Sequence, residues 1–163
     1  MDPAGQQAQE VRVIRPATNA DLPRIIGIVF PVLESYGLKP DPAGTDADLA
    51  DIEAAYYRSG GFFAVLEEPD GTVIGTYGLH KKDAATCELR KMYLDPTRRG
   101  RGHGRALLDH AIAKARELGF HRMVLETASV LVEAIALYRK HGFVPYRPPH
   151  LCPRCDLAFE RNL

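Results

Sequence analysis

Residues Arg99 to Gly104 read R-G-R-G-H-G and lie between a strand-like run, Cys87 to Leu94, and a helix-like run that starts near Arg105. A glycine-rich loop in that position aims several backbone N–H groups at one point, with the positive end of the helix dipole behind them. Such a point binds a phosphate or pyrophosphate. Arg98, Arg99, Arg101 and Arg105 fall in the same short stretch, which suits a polyphosphate ligand. The spacing excludes G-x-x-x-x-G-K-[ST], and G-x-G-x-x-G does not fit G-R-G-H-G-R-A. What remains is R-x-x-G-x-G, formed by Arg99, Gly102 and Gly104. A solvated basic turn or an RNA contact is the competing reading of the loop.

Upstream, Glu88 places a carboxylate inside an apolar strand, which is costly unless the group is paired or its pKa is raised. Arg90 is an available partner. Three cysteines, Cys87, Cys152 and Cys155, make an odd count without a disulfide framework. Cys152-Pro-Arg-Cys155 lacks the second ligand pair of a zinc site, so these cysteines read as incidental members of a surface loop and no metal is expected.

The elements that must position these residues follow from periodicity. Residues 1–10 read as a flexible tail, and residues 11–163 as a single domain, as 163 residues allow. Val11 to Arg15 alternates like a half-buried strand. Thr18 to Asp21 forms a capping box that opens a helix to about Tyr36, and a second helix is expected from Asp46 to Arg58. Phe62 to Glu67 and Thr72 to His80 are strands joined by a Glu68-Pro69-Asp70-Gly71 turn. Thr86 to Leu94 extends this antiparallel sheet. After the glycine loop, Leu107, Leu108, Ala111, Ile112, Ala115 and Leu118 recur at helical spacing, and Gly119 ends that helix. Met123 to Thr127 follows a crossover helix and should run parallel to the strand before it. Leu131 to His141 is a helix, and Phe143 to Tyr146 and Asp156 to Glu160 are closing strands. The fold class is therefore α/β, a mixed sheet with helices.

Charges balance at 21 basic and 21 acidic residues, against a nonspecific nucleic-acid binder. The sequence has neither an apolar run of membrane-spanning length nor a signal-peptide core near its start, so a cytoplasmic protein is expected.

R-x-x-G-x-G after a strand and before an amphipathic helix resembles the coenzyme A loop of the GNAT N-acetyltransferase superfamily. The strand C-E-L-R-K-M-Y-L-D-P and the later E-A-I-A-L-Y-R-K-H-G-F, similar to the family's A-x-x-L-Y-x-x-x-G-F signature, extend the resemblance. It implies a GNAT-like fold: antiparallel N-terminal strands, a central parallel pair splayed around the coenzyme A arm, and helices on both faces. It implies acetyl-CoA as co-substrate and acetyl transfer to a primary amine by direct attack in a ternary complex. A non-catalytic acyl-CoA-binding sensor is the alternative. The co-substrate would be held by Arg99, Gly100, Arg101, Gly102, His103, Gly104 and Arg105, with Met92, Tyr93 and Leu94 along the pantetheine arm and thioester.

The resemblance also makes Glu88 the candidate base and Tyr138 the candidate acid for the leaving thiolate. The family often carries an Asn where this chain has Leu131, and Glu126, Thr127 or Ser129 could substitute. Six acids between Glu34 and Glu53 suggest either a rim attractive to cationic amines or ordinary helix starts. Cys87, next to Glu88, should point to the opposite face and take no part. The expected partner is a small-molecule or peptide amine, with no nucleic acid or membrane, and a homodimer is left open.

Overall fold

A computed structural model of the chain describes residues 12–163, so the proposed tail and Val11 lie outside the described residues. Among the described residues, seven strands form one sheet in the order β1-β2-β3-β4-β5-β7-β6. They are β1 (Val13–Pro16), β2 (Phe62–Glu67), β3 (Val73–Lys81), β4 (Thr86–Leu94), β5 (Arg122–Thr127), β6 (Val144–Pro145) and β7 (Leu157–Asn162). Every pairing is antiparallel except β4 with β5. The β2–β3 turn closes as its Pro-Asp-Gly sequence predicts, with Gly71 N–H bonded to the Glu68 carbonyl and φ of 88° at Gly71.

Helices α1 (Leu22–Ser35), α2 (His103–Glu117) and α3 (Val132–Lys140) cover the sheet. Ile25, Ile28, Val29, Val32 and Leu33 make one apolar stripe on α1 and bury it against Phe63 and Val65. The stripe of α2 packs on the opposite face with Leu79, Met123, Leu125 and Tyr138. Thr18 and Asp21 form the capping box, which holds a short 3₁₀ turn, Asn19–Asp21, ahead of α1.

The single helix expected over Asp46–Arg58 is instead a 3₁₀ turn, Ala47–Ala50, and a π-helical turn, Glu53–Tyr57. Asp51 between them is extended, with φ −159° and ψ 91°. Tertiary contacts impose the break. Asn19 accepts from Ile52 N–H and donates to Asp51, while Ile52 and Tyr56 are drawn fully into the core.

The β4 strand changes parity in its middle. Cys87 and Leu89 belong to the core beneath α2, and so do Met92 and Leu94, which an uninterrupted strand would send to the other face. The switch occurs at Lys91, the one non-glycine residue with positive φ (54°) among the described residues. Opposite it, the β3 register slips between Thr76 and Gly78, a bulge that Thr76 Oγ1 anchors by donating to the Lys91 carbonyl at 2.7 Å.

Candidate active site

The parallel ladder between β4 and β5 runs only from Thr86–Arg122 to Glu88–Val124. Past Glu88 the strands separate, and the bulge at Lys91 carries β4 away from β5. Between them opens a cleft of about 690 Å³, lined by β4 from Glu88 to Leu94, by the glycine loop, by Glu126–Ala128 and by α3. The splayed parallel pair is thus present.

At one end stands the loop. Asp95 caps a 3₁₀ turn, Pro96–Arg98, by accepting from Thr97 N–H. Gly100 (φ 79°) and Gly102 (φ 77°) then turn the chain into α2, whose first internal bond runs from Ala106 N–H to the Gly102 carbonyl. The N–H groups of Gly104 and Arg105 precede that bond and point out of the helix end. A Cβ built on Gly104 would stand 3.5 Å from Leu137, an ordinary contact. The fold alone therefore leaves room for a side chain at 104. That fits a loop whose bare backbone must approach a ligand.

Of the four arginines, Arg99 and Arg105 line the cleft. The Arg99 guanidinium lies 5.5 Å over the Tyr36 ring, whose hydroxyl donates to Glu133 on α3 at 3.2 Å. Arg98 is committed to Glu68 at 2.6 Å, and the Arg101 carbonyl accepts from Arg12 at 2.7 Å. The Arg101 side chain is not part of the lining. His103 is buried at the start of α2 and faces the cleft.

Tyr138 is buried, its ring packed on Phe143 and Phe159, and it too lines the cleft. Burial raises its phenol pKa well above the ordinary value, so the hydroxyl keeps its proton at neutral pH. Glu88 takes the paired alternative. Arg90 Nε contacts one carboxylate oxygen and Lys82 Nζ lies 3.4 Å from the other. Burial pushes the carboxyl pKa up, but Arg90 and Lys82 outweigh it and hold the group below its usual value.

Cys87 is fully buried on the α2 face, opposite Glu88, and burial pushes its thiol up to about 12. Met92, Tyr93 and Leu94 line the cleft, with Tyr93 on the α1 side.

The acidic stretch is largely absorbed by the fold. Asp46 and Asp48 each lie 3.1 Å from Lys91 Nζ, and Asp46 also forms a two-pronged pair with Arg154. Asp48 accepts from the Tyr56 hydroxyl, Asp41 from Thr45 N–H, and Asp51 from Ala54 N–H. Buried cations and turn amides thus hold four of the six, Asp41, Asp46, Asp48 and Asp51, which are not free carboxylates of an open rim.

Cys152 and Cys155 are joined by a disulfide, against the expectation of incidental thiols. The turn bond from Cys155 N–H to the Cys152 carbonyl brings their Cα atoms to 5.2 Å, within bridging range. Both cysteines and Arg154 line the cleft. Cys152 N–H donates to the Glu126 carboxylate at 2.8 Å. Ser129, one of the residues considered in place of the missing Asn, is occupied by Asp156. The sequence gives no sign that Asp46 pairs with Lys91 and Arg154. Their contacts span up to 108 residues, and no local pattern announces them.

The chain matches the Acetyltransferase (GNAT) family over residues 29–143. It is 39% identical over 141 residues to the uncharacterized N-acetyltransferase YjgM of Escherichia coli (strain K12), covering 83% of this chain and 84% of that one. Among solved structures, a GNAT-family acetyltransferase of Staphylococcus aureus Mu50 superposes with a TM-score of 0.86 at 24% identity, over 93% of this chain and 99% of that one. The yncA protein of Salmonella typhimurium, solved with its cofactor acetyl-CoA, superposes with a TM-score of 0.73 at 26% identity, over 93% of each chain. The protein belongs to the GNAT acetyltransferase family, whose general reaction is acetyl transfer.

Proposed function

We propose that this protein is an acetyl-CoA-dependent N-acetyltransferase that acetylates a primary amine, small-molecule or peptide, by direct attack in a ternary complex. The observation that carries the reading is the continuity of one cleft. It joins the glycine loop at the α2 N-terminus to Tyr138 and then to carboxylates where β4 and β5 part. The family relation and the acetyl-CoA-bound yncA relative support the choice of co-substrate.

In this reading Arg99, Arg105 and the amides of Gly102–Arg105 receive the pyrophosphate. The backbone of Met92, Tyr93 and Leu94, freed from β5 by the splay, runs along the pantetheine. A preorganised N–H there stabilises the developing oxyanion. Tyr138, still protonated at neutral pH, gives its proton to the departing thiolate. Glu88 and Glu126 stand at the acceptor end, and the incoming ammonium loses its first proton to one of them. Direct transfer is favoured by the state of the thiols, since Cys87 is buried with a raised pKa and Cys152 and Cys155 are bonded to each other.

The test is purified protein with acetyl-CoA and a panel of polyamine, amino acid, aminoglycoside and peptide acceptors, read by release of free thiol. Turnover of an amine with intersecting initial-rate plots is the expected result. Acetyl-CoA binding without turnover of any acceptor points to the sensor alternative, and parallel plots overturn the ternary complex.

A further inference from the structure

We infer that the acceptor is an amine with a carboxylate beside it, as in a free α-amino acid, and that Arg90 is the residue that recognises the carboxylate. The inference rests on the N-acetyltransferase reading and names the acceptor class for the same cleft.

Arg90 lies two residues past Glu88, the last β4 residue of the parallel ladder, and it lines the cleft. A guanidinium has two edges that can take a carboxylate in a pair of parallel bonds. One edge uses Nε and a terminal nitrogen, and the other uses the two terminal nitrogens. Glu88 is bonded at Nε and so occupies the first edge. Neither terminal nitrogen of Arg90 has a hydrogen-bond partner among the described residues, and the second edge is left for a ligand of the cleft.

The arginine is also held in place. Its β3 partner is Gly78, where a Cβ would stand 2.7 Å from the Tyr56 ring. The bare backbone lets Tyr56 lie against the sheet, close enough for Arg90 to feel its hydroxyl, which donates to Asp48. A guanidinium fixed at Nε and flanked by a buried ring gives up little further freedom when a carboxylate arrives.

The surrounding charges favour an anion at that edge. Asp46 meets Lys91 and Arg154, Asp48 meets Lys91, and Lys82 and Arg90 share Glu88. Asp48 also acts on Arg90, and His80, the register partner of Glu88, is kept neutral by burial. Four cations thus face three carboxylates, and the surplus lies with Arg90 and Lys82, which have one carboxylate between them. Glu126, on β5 across the gap, has the opposite sign. An α-amino acid presents both signs on adjacent atoms. A polyamine or an aminoglycoside, cationic throughout, offers Arg90 nothing, and a peptide N-terminus has an amide where the carboxylate is required.

The experiment supplies the wild-type protein and acetyl-CoA with sets of three acceptors, read by release of free thiol. Each set is an α-amino acid, its carboxamide and its decarboxylated amine. The carboxamide has the less basic amine and holds more free base at neutral pH, so a preference for the acid reports recognition of the carboxylate. For at least one set, kcat/KM for the acid should exceed that for both analogues by about 100-fold. Arg90→Gln should bring that ratio toward unity through a rise in KM for the acid, and Arg90→Lys, with the charge but no fork, should retain only part of it. An unchanged acetyl-CoA-induced melting shift establishes that each variant folds and binds, and the wild-type comparison decides even where a variant does not fold. A wild type that acetylates the carboxamides or decarboxylated amines as readily as the acids, or acetylates other amines and no amino acid, overturns the inference. An Arg90→Gln variant that keeps the ratio does the same. Each of these outcomes leaves the acetyltransferase reading standing. If the wild type binds acetyl-CoA and turns over no amine, that reading falls and the inference with it.

Discussion

Asp46→Asn tests whether the polar knot at the acceptor end holds the site together. Asp46 is 1% exposed and serves two cations, Lys91 from the β4 bulge at 3.1 Å and Arg154 from the disulfide loop. The amide keeps the shape and removes the charge, leaving two nearly buried cations to share Asp48. Breaking a buried pair from one side costs about 3–5 kcal/mol. The titration gives a second estimate. Burial raises the Asp46 carboxyl pKa, but hydrogen bonds from Arg154 and Asp41 N–H, with the Lys91 charge, outweigh it and hold it at about 2 against an ordinary 3.8. That depression corresponds to roughly 2–3 kcal/mol at neutral pH. The two routes meet near ~3 kcal/mol, a fall in Tm of about 6–12 °C for a chain of this size.

The sign of the pH dependence is fixed by the direction of the shift. A depressed carboxyl contributes its full stability above its unfolded value of 3.8 and loses it as pH falls through about 2. Urea unfolding of wild type and Asp46→Asn, repeated from neutral pH downward, should show a constant gap that closes within that window. Since the knot also forms one wall of the cleft, KM for the amine should rise, while the acetyl-CoA-induced melting shift should persist. A stability gap below about 0.5 kcal/mol, or one independent of pH down to about 2, would refute the reasoning.

Three further outcomes are expected. Tyr138→Phe should lower kcat roughly 10- to 100-fold with acetyl-CoA affinity unchanged, because the ring packing survives and only the proton donor is lost; an unaltered kcat removes Tyr138 from the chemistry. Gly104→Ala should raise the melting temperature of the free protein slightly, since the helix gains by about 0.5–1 kcal/mol and the Cβ has room, yet weaken the acetyl-CoA-induced shift; an undiminished shift means the backbone at 104 does not approach the ligand. Opening Cys152–Cys155 with a dithiol reductant, which is itself oxidised to a disulfide, should raise the amine KM several-fold without affecting acetyl-CoA binding, and a Cys152→Ser/Cys155→Ser variant should match the reduced protein in either condition; a KM indifferent to both treatments separates the loop from the acceptor site.

What was legible in the sequence was local. The Pro-Asp-Gly turn, the capping box at Thr18 and the glycine loop each carry their geometry within a few residues, and each formed where its residues lie. The region from Asp46 to Arg58 was misread because its helical periodicity is real over each half but is interrupted by Asn19, more than 30 residues away, which takes the amide of Ile52 for itself. The paired state of Glu88 was foreseeable from Arg90 two residues on, where strand alternation puts both on one face. Asp46 was not foreseeable, because its partners come from a bulge and from a loop near the C-terminal end of the chain. The odd cysteine count argued against a disulfide, yet a turn of four residues needs no framework to close one.

The bulge at Lys91 links these observations. A regular β4 would keep its even-numbered residues on the α1 face throughout, and Met92 and Leu94 would be exposed to the polar cluster there. It would also offer β5 a straight edge, and the parallel ladder would have no reason to stop at Glu88. The inserted residue reverses the parity, so Met92 and Leu94 join the apolar core under α2 while Tyr93 turns toward α1. The same kink swings the strand from β5 and frees its backbone edge. A left-handed φ on a lysine costs on the order of 1 kcal/mol or more. That cost is offset where the side chain lands, since its ammonium meets Asp46 and Asp48 and so fastens the 3₁₀ turn and, through Arg154, the disulfide loop. One strained residue thereby opens the cleft along β4 and fastens the wall that Lys91 and Arg154 line. The splay and the polar knot are two consequences of a single backbone choice.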